Sequence, residues 1–95
     1  MSATQAGTTP SNSPQPAPWR LKVIAEADPS ALTRILQHFQ RLNVIPHRVH
    51  AERLGETYLE IAIEISAADV LPDTQHLITA KLGQLPIVLI AVTCD

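Results

Sequence analysis

The stretch Tyr58-Leu59-Glu60-Ile61-Ala62-Ile63-Glu64-Ile65 decides the fold of this chain. Every odd-numbered position after the tyrosine is Leu or Ile, whereas the even-numbered positions are mostly polar or small. Alternation with a period of two places one set of side chains on one face of an extended segment. The stretch therefore predicts a β-strand that buries one face and leaves the other accessible.

A preceding strand is expected over residues 45–53, and together the two form a hairpin around a glycine turn. If both strands keep their odd-numbered residues inward, the loop must contain an odd number of residues. The tripeptide at residues 54–56 satisfies this condition and places His50 opposite Glu60. The residues of the preceding strand that are expected to face the core are Val49 and Ala51.

A strand and a helix are predicted upstream of the hairpin. The sequence Asp28-Pro29-Ser30 supplies a turn and a helix start: Asp28 or Ser30 can cap the free N–H groups, and Pro29 suits a first helical position. Asn43 ends this helix, because Asn tolerates the left-handed conformation that follows a helix. The strand has apolar residues at alternate positions, namely Leu21, Val23, Ala25 and Ala27. The helix carries an apolar stripe formed by Leu32, Ile35, Leu36, Phe39 and Leu42.

A second helix and a last strand are predicted after the hairpin. The helix spans residues 72–84, with Asp69 or Asp73 favouring its N-terminal end, Lys81 its C-terminal end and Pro86 stopping it. Its apolar side comprises Leu77, Ile78, Leu82 and Leu85. The strand over residues 87–92 is apolar on both faces, with Val88, Ile90 and Val92 expected inward and Ile87, Leu89 and Ala91 outward.

The order strand, helix, strand, strand, helix, strand predicts an α+β fold, a ferredoxin-like βαββαβ sandwich. Right-handed crossovers place both helices on one face of a four-stranded antiparallel sheet. Residues 19–95 are expected to form this domain. Residues 1–18 are rich in Pro, Ser and Thr and lack large apolar side chains after Met1, so we expect a flexible tail.

Composition limits the class of protein. The net charge of −2 disfavours nucleic-acid binding, which requires a strongly basic surface. The single cysteine, Cys94, fits a reducing cytoplasm. No apolar run is long enough to span a bilayer, and the N-terminus does not resemble a secretory signal. We therefore expect a cytoplasmic protein that does not bind a membrane.

No catalytic, metal-binding or cofactor-binding constellation is expected. His47 and His50 are three positions apart in a predicted strand and would point to opposite faces. Cys94 has no neighbouring base, and the three glycines of the chain are not clustered into a phosphate-binding loop. The sequence therefore predicts a binding or regulatory module and not an enzyme.

The sheet face without helices is expected to expose an apolar patch. Soluble monomers seldom expose such a patch without a use, so association with a copy or a partner is one interpretation. Coverage by the tail or by crowding at the strand ends is the other. The residues of the predicted interface are Ile24, Tyr58, Ala62, Ile87 and Leu89.

The junction between the first strand and the first helix, residues 27–32, is a second candidate site. Free backbone N–H groups at a helix N-terminus can bind the carboxylate of a small ligand. Ordinary capping by Asp28 or Ser30 is the structural alternative.

Residues 20–93 resemble an ACT domain, and most closely the small regulatory subunit of acetolactate synthase. The resemblance rests on residues 28–36 (DPSALTRIL), on Phe39 and Asn43, and on residues 82–88 (LGQLPIV). It implies a ligand site between the loop after strand one and the start of strand two. The implied site residues are Asp28, Ser30, Ala31, Leu32, Ile45 and Pro46.

Two positions depart from the family pattern. Ser30 stands where the loop usually has glycine, and Ile45-Pro46 stands where valine-responsive members have Asn-Ile. The resemblance implies a homodimer that docks on the catalytic large subunit of a thiamine-diphosphate-dependent synthase and responds to a small amino acid, often valine. The alternative is a free-standing ACT-like amino-acid sensor or interaction adaptor of another pathway.

Overall fold

The computed structural model describes residues 18–94. They form a four-stranded antiparallel sheet and two helices, in the order strand, helix, strand, strand, helix, strand. The predicted tail lies outside the described residues except for Pro18. The strands are β1 (Trp19–Glu26), β2 (Arg48–Leu54), β3 (Tyr58–Ile65) and β4 (Val88–Cys94), and the helices are α1 (Ala31–Arg41) and α2 (Pro72–Gly83). The predicted ferredoxin-like fold is confirmed.

Strands β1 and β3 are the centre of the sheet, whose order is β2-β3-β1-β4. Their odd-numbered residues face the helices, as the period-two pattern predicted. Within residues 18–94, twelve buried apolar residues lie on these two strands and on the two helices: Trp19, Leu21, Val23, Ala25, Ala31, Ile35, Phe39, Ile61, Ile63, Ile65, Ile78 and Leu82. Burial of these apolar side chains is the main favourable contribution to folding.

Helix α1 begins after an Asp28 turn and ends before a left-handed residue. The Asp28 carboxylate accepts hydrogen bonds from the N–H and the hydroxyl of Ser30, at 2.8 and 2.6 Å. Pro29 lies in the turn before the helix and not at its first position, which corrects the prediction. Asn43 has a φ of 59°, as its place after the helix predicted.

Strand β2 is an edge strand, and every one of its residues is exposed. It begins at Arg48, three residues later than predicted. Val49 and Ala51 pair with buried residues of β3 and share their face, but both are exposed. The predicted inward orientation of these two side chains is therefore confirmed, although both remain exposed at the edge of the sheet.

The β2–β3 hairpin has the predicted odd loop, shifted by one residue to residues 55–57. Gly55 adopts a φ of 68°, a conformation that glycine takes without strain. The shift moves the register by two, so that His50 pairs with Ala62 and Glu52 pairs with Glu60. The predicted pairing of His50 with Glu60 is wrong, although each residue keeps its predicted face.

Strand β4 contains a β-bulge at Leu89. The residues that follow the bulge point to the face opposite the one that simple alternation predicts. Ala25 pairs with Val88 and Ile24 pairs with Ile90, so Leu89 is the extra residue. Ile90 and Val92 therefore share the outer face with the residues of β1 opposite them, and Ala91 faces the core. The predicted orientations of Ile90, Val92 and Ala91 are wrong for this reason.

Three further burial predictions need correction. Leu42 was expected on the apolar stripe of the first helix, but it is 42% exposed. Ile87 was expected on the outer face, but it is only 7% exposed and belongs to the core. Leu77 was expected on the apolar side of the second helix, but it is half exposed. Its neighbour Ile78 is buried, because consecutive residues of a helix point about 100° apart.

Candidate functional site

The junction of β1 and α1 holds an ordered turn with two free hydrogen-bond donors. The Ala31 N–H donates to the Asp28 carbonyl at 2.9 Å, and the Arg34 N–H donates to the Ser30 carbonyl at 3.0 Å. The N–H groups of Leu32 and Thr33 have no hydrogen-bond partner among residues 18–94. They are the donors that a first helical turn leaves open.

The carboxylate of Asp28 supplies negative charge beside these donors. Its hydrogen bonds from Ser30 lower the pKa of Asp28 from its ordinary value, with a smaller contribution from the charge of Arg34. Asp28 is therefore ionised throughout the physiological pH range. An amino-acid zwitterion has both the carboxylate that free N–H groups bind and the ammonium that a carboxylate binds.

Ala31 has no free group to offer a ligand. Its side chain is fully buried, and its N–H is already bonded to Asp28. The prediction that Ala31 contributes to a ligand site thus conflicts with its burial. Ser30 is partly exposed beside Asp28, where its hydroxyl donates to the carboxylate.

Three of the remaining predicted ligand residues line two separate cavities, whereas the Leu32 side chain packs against the core. Asp28 lies in a cavity of about 240 Å³ beneath the β1–α1 turn, which is also lined by Arg53 and Leu59. Ile45 and Pro46 line a groove of about 550 Å³ along α1. Within one chain, the structure does not bring the two ends of the predicted site together.

The α1 groove contains polar residues that the sequence analysis missed. Thr33, Gln37 and Gln40 follow one another at helical spacing and line the same wall. Ile45, on the opposite wall, is 81% exposed. A polar stripe beside the apolar stripe of the helix is the signal that could have revealed this wall.

The outer face of the sheet combines charged and apolar residues. Arg20 pairs with Glu64 at 3.0 Å, and Lys22 lies 3.6 Å from Glu60. Near the β4 edge, the face is apolar instead. The exposed or partly exposed apolar residues there are Ile24, Leu89, Ile90 and Val92.

This apolar area differs from the predicted interface. Ile24, Tyr58, Ala62 and Leu89 are accessible, whereas Ile87 is buried. Ile90 and Val92 take the place of Ile87, because of the bulge at Leu89. The bulge had no sequence signal, since the strand is apolar at every position from 87 to 92.

Within residues 18–94, no three His, Cys, Asp or Glu side chains are grouped so that they could hold a metal ion. His47 precedes β2, and the His50 imidazole lies 3.8 Å from the Glu52 carboxylate. None of the helices in the described part of the chain is long and apolar enough to cross a bilayer.

Solved structures share this fold at low sequence identity. The solution structure of the C-terminal domain of the MgtC protein from Mycobacterium tuberculosis matches with a TM-score of 0.66 and 16% identity, over 81% of this chain and 84% of that domain. The crystal structure of the ACT domain from GTP pyrophosphokinase of Chlorobium tepidum matches with a TM-score of 0.61 and 9% identity, over 82% of this chain and 97% of that domain. No protein-family model matches the sequence, and no curated protein matches it. Together with the strand order, these likenesses give the chain an ACT-like, ferredoxin-like fold.

Proposed function

We propose that this chain is a non-catalytic regulatory domain of the ACT type. On this proposal it is a small subunit that binds and activates the catalytic subunit of an acetolactate synthase in branched-chain amino-acid biosynthesis. The observation that carries the proposal is the ACT-like fold, which matches nearly the whole length of an ACT domain. The segment 28–36, on which the resemblance to acetolactate synthase regulatory subunits rests, forms the β1–α1 junction of this fold.

The geometry of the junction supports an amino acid as the effector. The N–H groups of Leu32 and Thr33 would bind its carboxylate, and the free oxygen of Asp28 would bind its ammonium group. Because Asp28 and Ile45-Pro46 line different cavities of one chain, a complete site requires these segments to come from two protomers. A homodimer would complete the site if it placed the Asp28 turn of one protomer against the α1 groove of the other.

The sheet supports dimerisation through its apolar area near β4. Leu89 and Ile90 are each about half exposed, and Ile24 lies directly opposite Ile90. Burying such side chains against a second copy removes apolar surface from water. Light scattering is therefore expected to give the mass of a dimer for the wild type and the mass of a monomer for Ile90→Glu. Glu56→Lys, in the hairpin loop, should keep the mass of the dimer.

Capture of the tagged full chain from its native lysate, read by mass spectrometry, tests the proposed partner. Recovery of a thiamine-diphosphate-dependent synthase supports the subunit role. The activity of that synthase should rise when the chain is added, and branched-chain amino acids should change the rise. Recovery of a different enzyme, or of this chain alone, contradicts the assignment.

The effector site is tested separately by calorimetric titration with valine, leucine and isoleucine. Asp28→Ala is expected to abolish binding, because it removes the carboxylate that would hold the ammonium group. Asp73→Ala removes the same residue type from the first turn of α2 and should leave binding intact. Equal loss in both variants, or no binding to the wild type, contradicts an amino-acid effector.

An interaction adaptor without an effector is the second candidate function. Ser30 favours this alternative, because it stands where the family that the chain resembles usually has glycine. Its hydroxyl donates a hydrogen bond to one oxygen of the Asp28 carboxylate, which leaves that oxygen less available to a ligand. On this alternative the captured partner is not a synthase, and none of the three amino acids gives heat on titration.

A further inference from the structure

The two helices enclose a groove on the side of the protein opposite the outer sheet face. His38, Arg41 and Leu42 line it from the C-terminal end of α1, and Leu77, Ile78 and Lys81 line it from α2. Its volume is about 90 Å³. We call these six residues the interhelix groove.

The floor and walls of the interhelix groove are apolar. Ile78 is buried at its base, while Leu42 and Leu77 are 42% and 47% exposed. Single exposed leucines are common on protein surfaces. Here Leu77 of α2 and Leu42, the residue that follows α1, border the same depression, a shape that accepts an apolar side chain from outside.

The rim of the interhelix groove is positively charged. Arg41 and Lys81 both lie close enough to His38 to lower its pKa, after the larger effect of partial burial. Neither cation forms an ion pair within residues 18–94, where all three ion pairs lie on the sheet. Although the net charge of the chain is −2, two adjacent cations therefore lack a carboxylate partner in the described part of the chain.

The distribution of acidic residues explains this local charge. Helix α1 contains no Asp or Glu, and α2 contains only Asp73 in its first turn. Asp73 precedes Lys81 by eight residues, which corresponds to about 12 Å along a helix. The glutamates of the described chain lie instead on the strands and in the hairpin loop.

We infer that the interhelix groove binds an acidic amphipathic helix of a partner protein. An apolar side chain of that helix would insert between Leu42 and Leu77, and its carboxylates would face Arg41 and Lys81. Helix-in-groove recognition uses this combination of apolar anchors and complementary charge. The inference rests on the proposed function in one respect, since the partner is taken to be the enzyme that the domain regulates.

A protein helix fits this surface better than a membrane or a nucleic acid. Membrane-binding surfaces insert a continuous apolar face, whereas these leucines border a depression between two helices. Nucleic acids need several cations along a backbone and gain nothing from leucines. The concave apolar centre with a cationic rim therefore favours the acidic helix.

A synthetic peptide of about five helical turns tests the inference with the full chain. The probe has leucines at spacings of three and four and glutamates elsewhere, and fluorescence anisotropy reports its binding. A comparison peptide replaces each glutamate with lysine. The acidic peptide is expected to bind at least about tenfold more tightly than the basic one, and its affinity should fall as salt rises.

Variants locate the binding surface. Lys81→Glu and Leu77→Ser are each expected to weaken binding about fivefold or more. Arg48→Glu makes the same change of charge on β2 and should alter the affinity less than twofold. Amide chemical shifts should move at the six groove residues when the acidic peptide is added, and thermal unfolding verifies that each variant folds.

Several results would overturn the inference. They are an undetectable affinity for the acidic peptide, equal affinity for the basic peptide, an equal loss in Arg48→Glu, shift changes confined to the sheet, or tighter binding to anionic phosphatidylglycerol vesicles. The capture experiment reads a different quantity, the identity of the partner enzyme. If the wild type and Lys81→Glu recover a synthase equally, the result supports the proposed function and contradicts helix binding at the interhelix groove.

Discussion

The outer face of the sheet and the helix layer use charge in different ways. On the sheet, Arg20 and Lys22 are each within 4 Å of a glutamate carboxylate from β3. On the helices, Arg41 and Lys81 converge on His38 with no carboxylate among them. The same small domain therefore carries one surface with internally paired charges and one with unpaired charges.

Charges that are paired within the sheet stabilise the sheet itself, whereas the unpaired charges on the helices are available to bind a partner. Exposed cross-strand pairs contribute modestly to the stability of the sheet that contains them. Unpaired like charges contribute nothing to the stability of the helices, and their mutual repulsion opposes folding slightly. Their electrostatic potential is instead available to a partner of opposite charge.

The largest expected effect is a loss of stability when Ile87, which lies next to the bulge of β4, is replaced. Ile87→Ser should lower the free energy of unfolding by about 3 kcal/mol, because it removes a buried side chain and places a hydroxyl in the core. Ile90→Ser should cost less than about 1 kcal/mol, because this residue is half exposed.

Urea denaturation of dilute samples, in which the chain is monomeric, measures both changes. A greater loss in Ile90→Ser than in Ile87→Ser would contradict the face exchange at Leu89 and restore the orientation that simple alternation predicts.

A smaller effect tests the charge pairing of the sheet. The coupling energy between Arg20 and Glu64 in a double-mutant cycle with alanine should be about 0.5 kcal/mol, since both side chains are partly exposed. The matched pair Arg41 and Lys81 should show coupling of opposite sign or none, because both are cations. Favourable coupling between Arg41 and Lys81 would contradict the claim that the sheet carries paired charges and the helices carry unpaired ones.

The smallest effect is a shift in the titration of His38. Partial burial, Arg41 and Lys81 lower the pKa of His38 from its ordinary 6.5, so the unfolded chain binds this proton more readily than the folded chain. Stability should therefore decrease as the pH falls through 6.5 and level off below the folded-state pKa.

Lys81→Gln should raise the pKa of His38 in an NMR titration, whereas Arg48→Gln on β2 should leave it unchanged. A pKa that does not move in Lys81→Gln would show that the lysine charge does not reach the imidazole.

The local pattern predicted the core elements of the fold well. The alternation in β3 and the helical stripe of α1 depend on residues that are adjacent in sequence, and both elements form as expected. Asn43 and Gly55 adopt positive φ values at the two turns where their side chains, or the absence of one, allow it. These features follow from short-range sterics and periodicity.

Features that depend on distant packing could not be predicted in the same way. Whether Val49 is buried depends on what packs over the edge of the sheet, and every residue of β2 is exposed. The bulge at Leu89 depends on how β4 meets β1, and a strand with apolar residues on both faces does not reveal its orientation.

The candidate site shows the same limit. Sequence placed Asp28 and Ser30 together at a turn, where the structure joins them by two hydrogen bonds. It could not show that Ile45 belongs to a different cavity, because that depends on the three-dimensional course of the chain after α1.

Strand β2 also determines which part of the molecule opens first. It buries no side chain and is hydrogen-bonded to a neighbour on one side alone, so its separation from the sheet exposes little additional apolar surface. Its amide protons should exchange with solvent deuterium long before those of β1 and β3. A ligand or second protomer that closes on Ile45-Pro46 or on this edge would slow that exchange, so the dynamics of one strand would report occupancy without any change in the core.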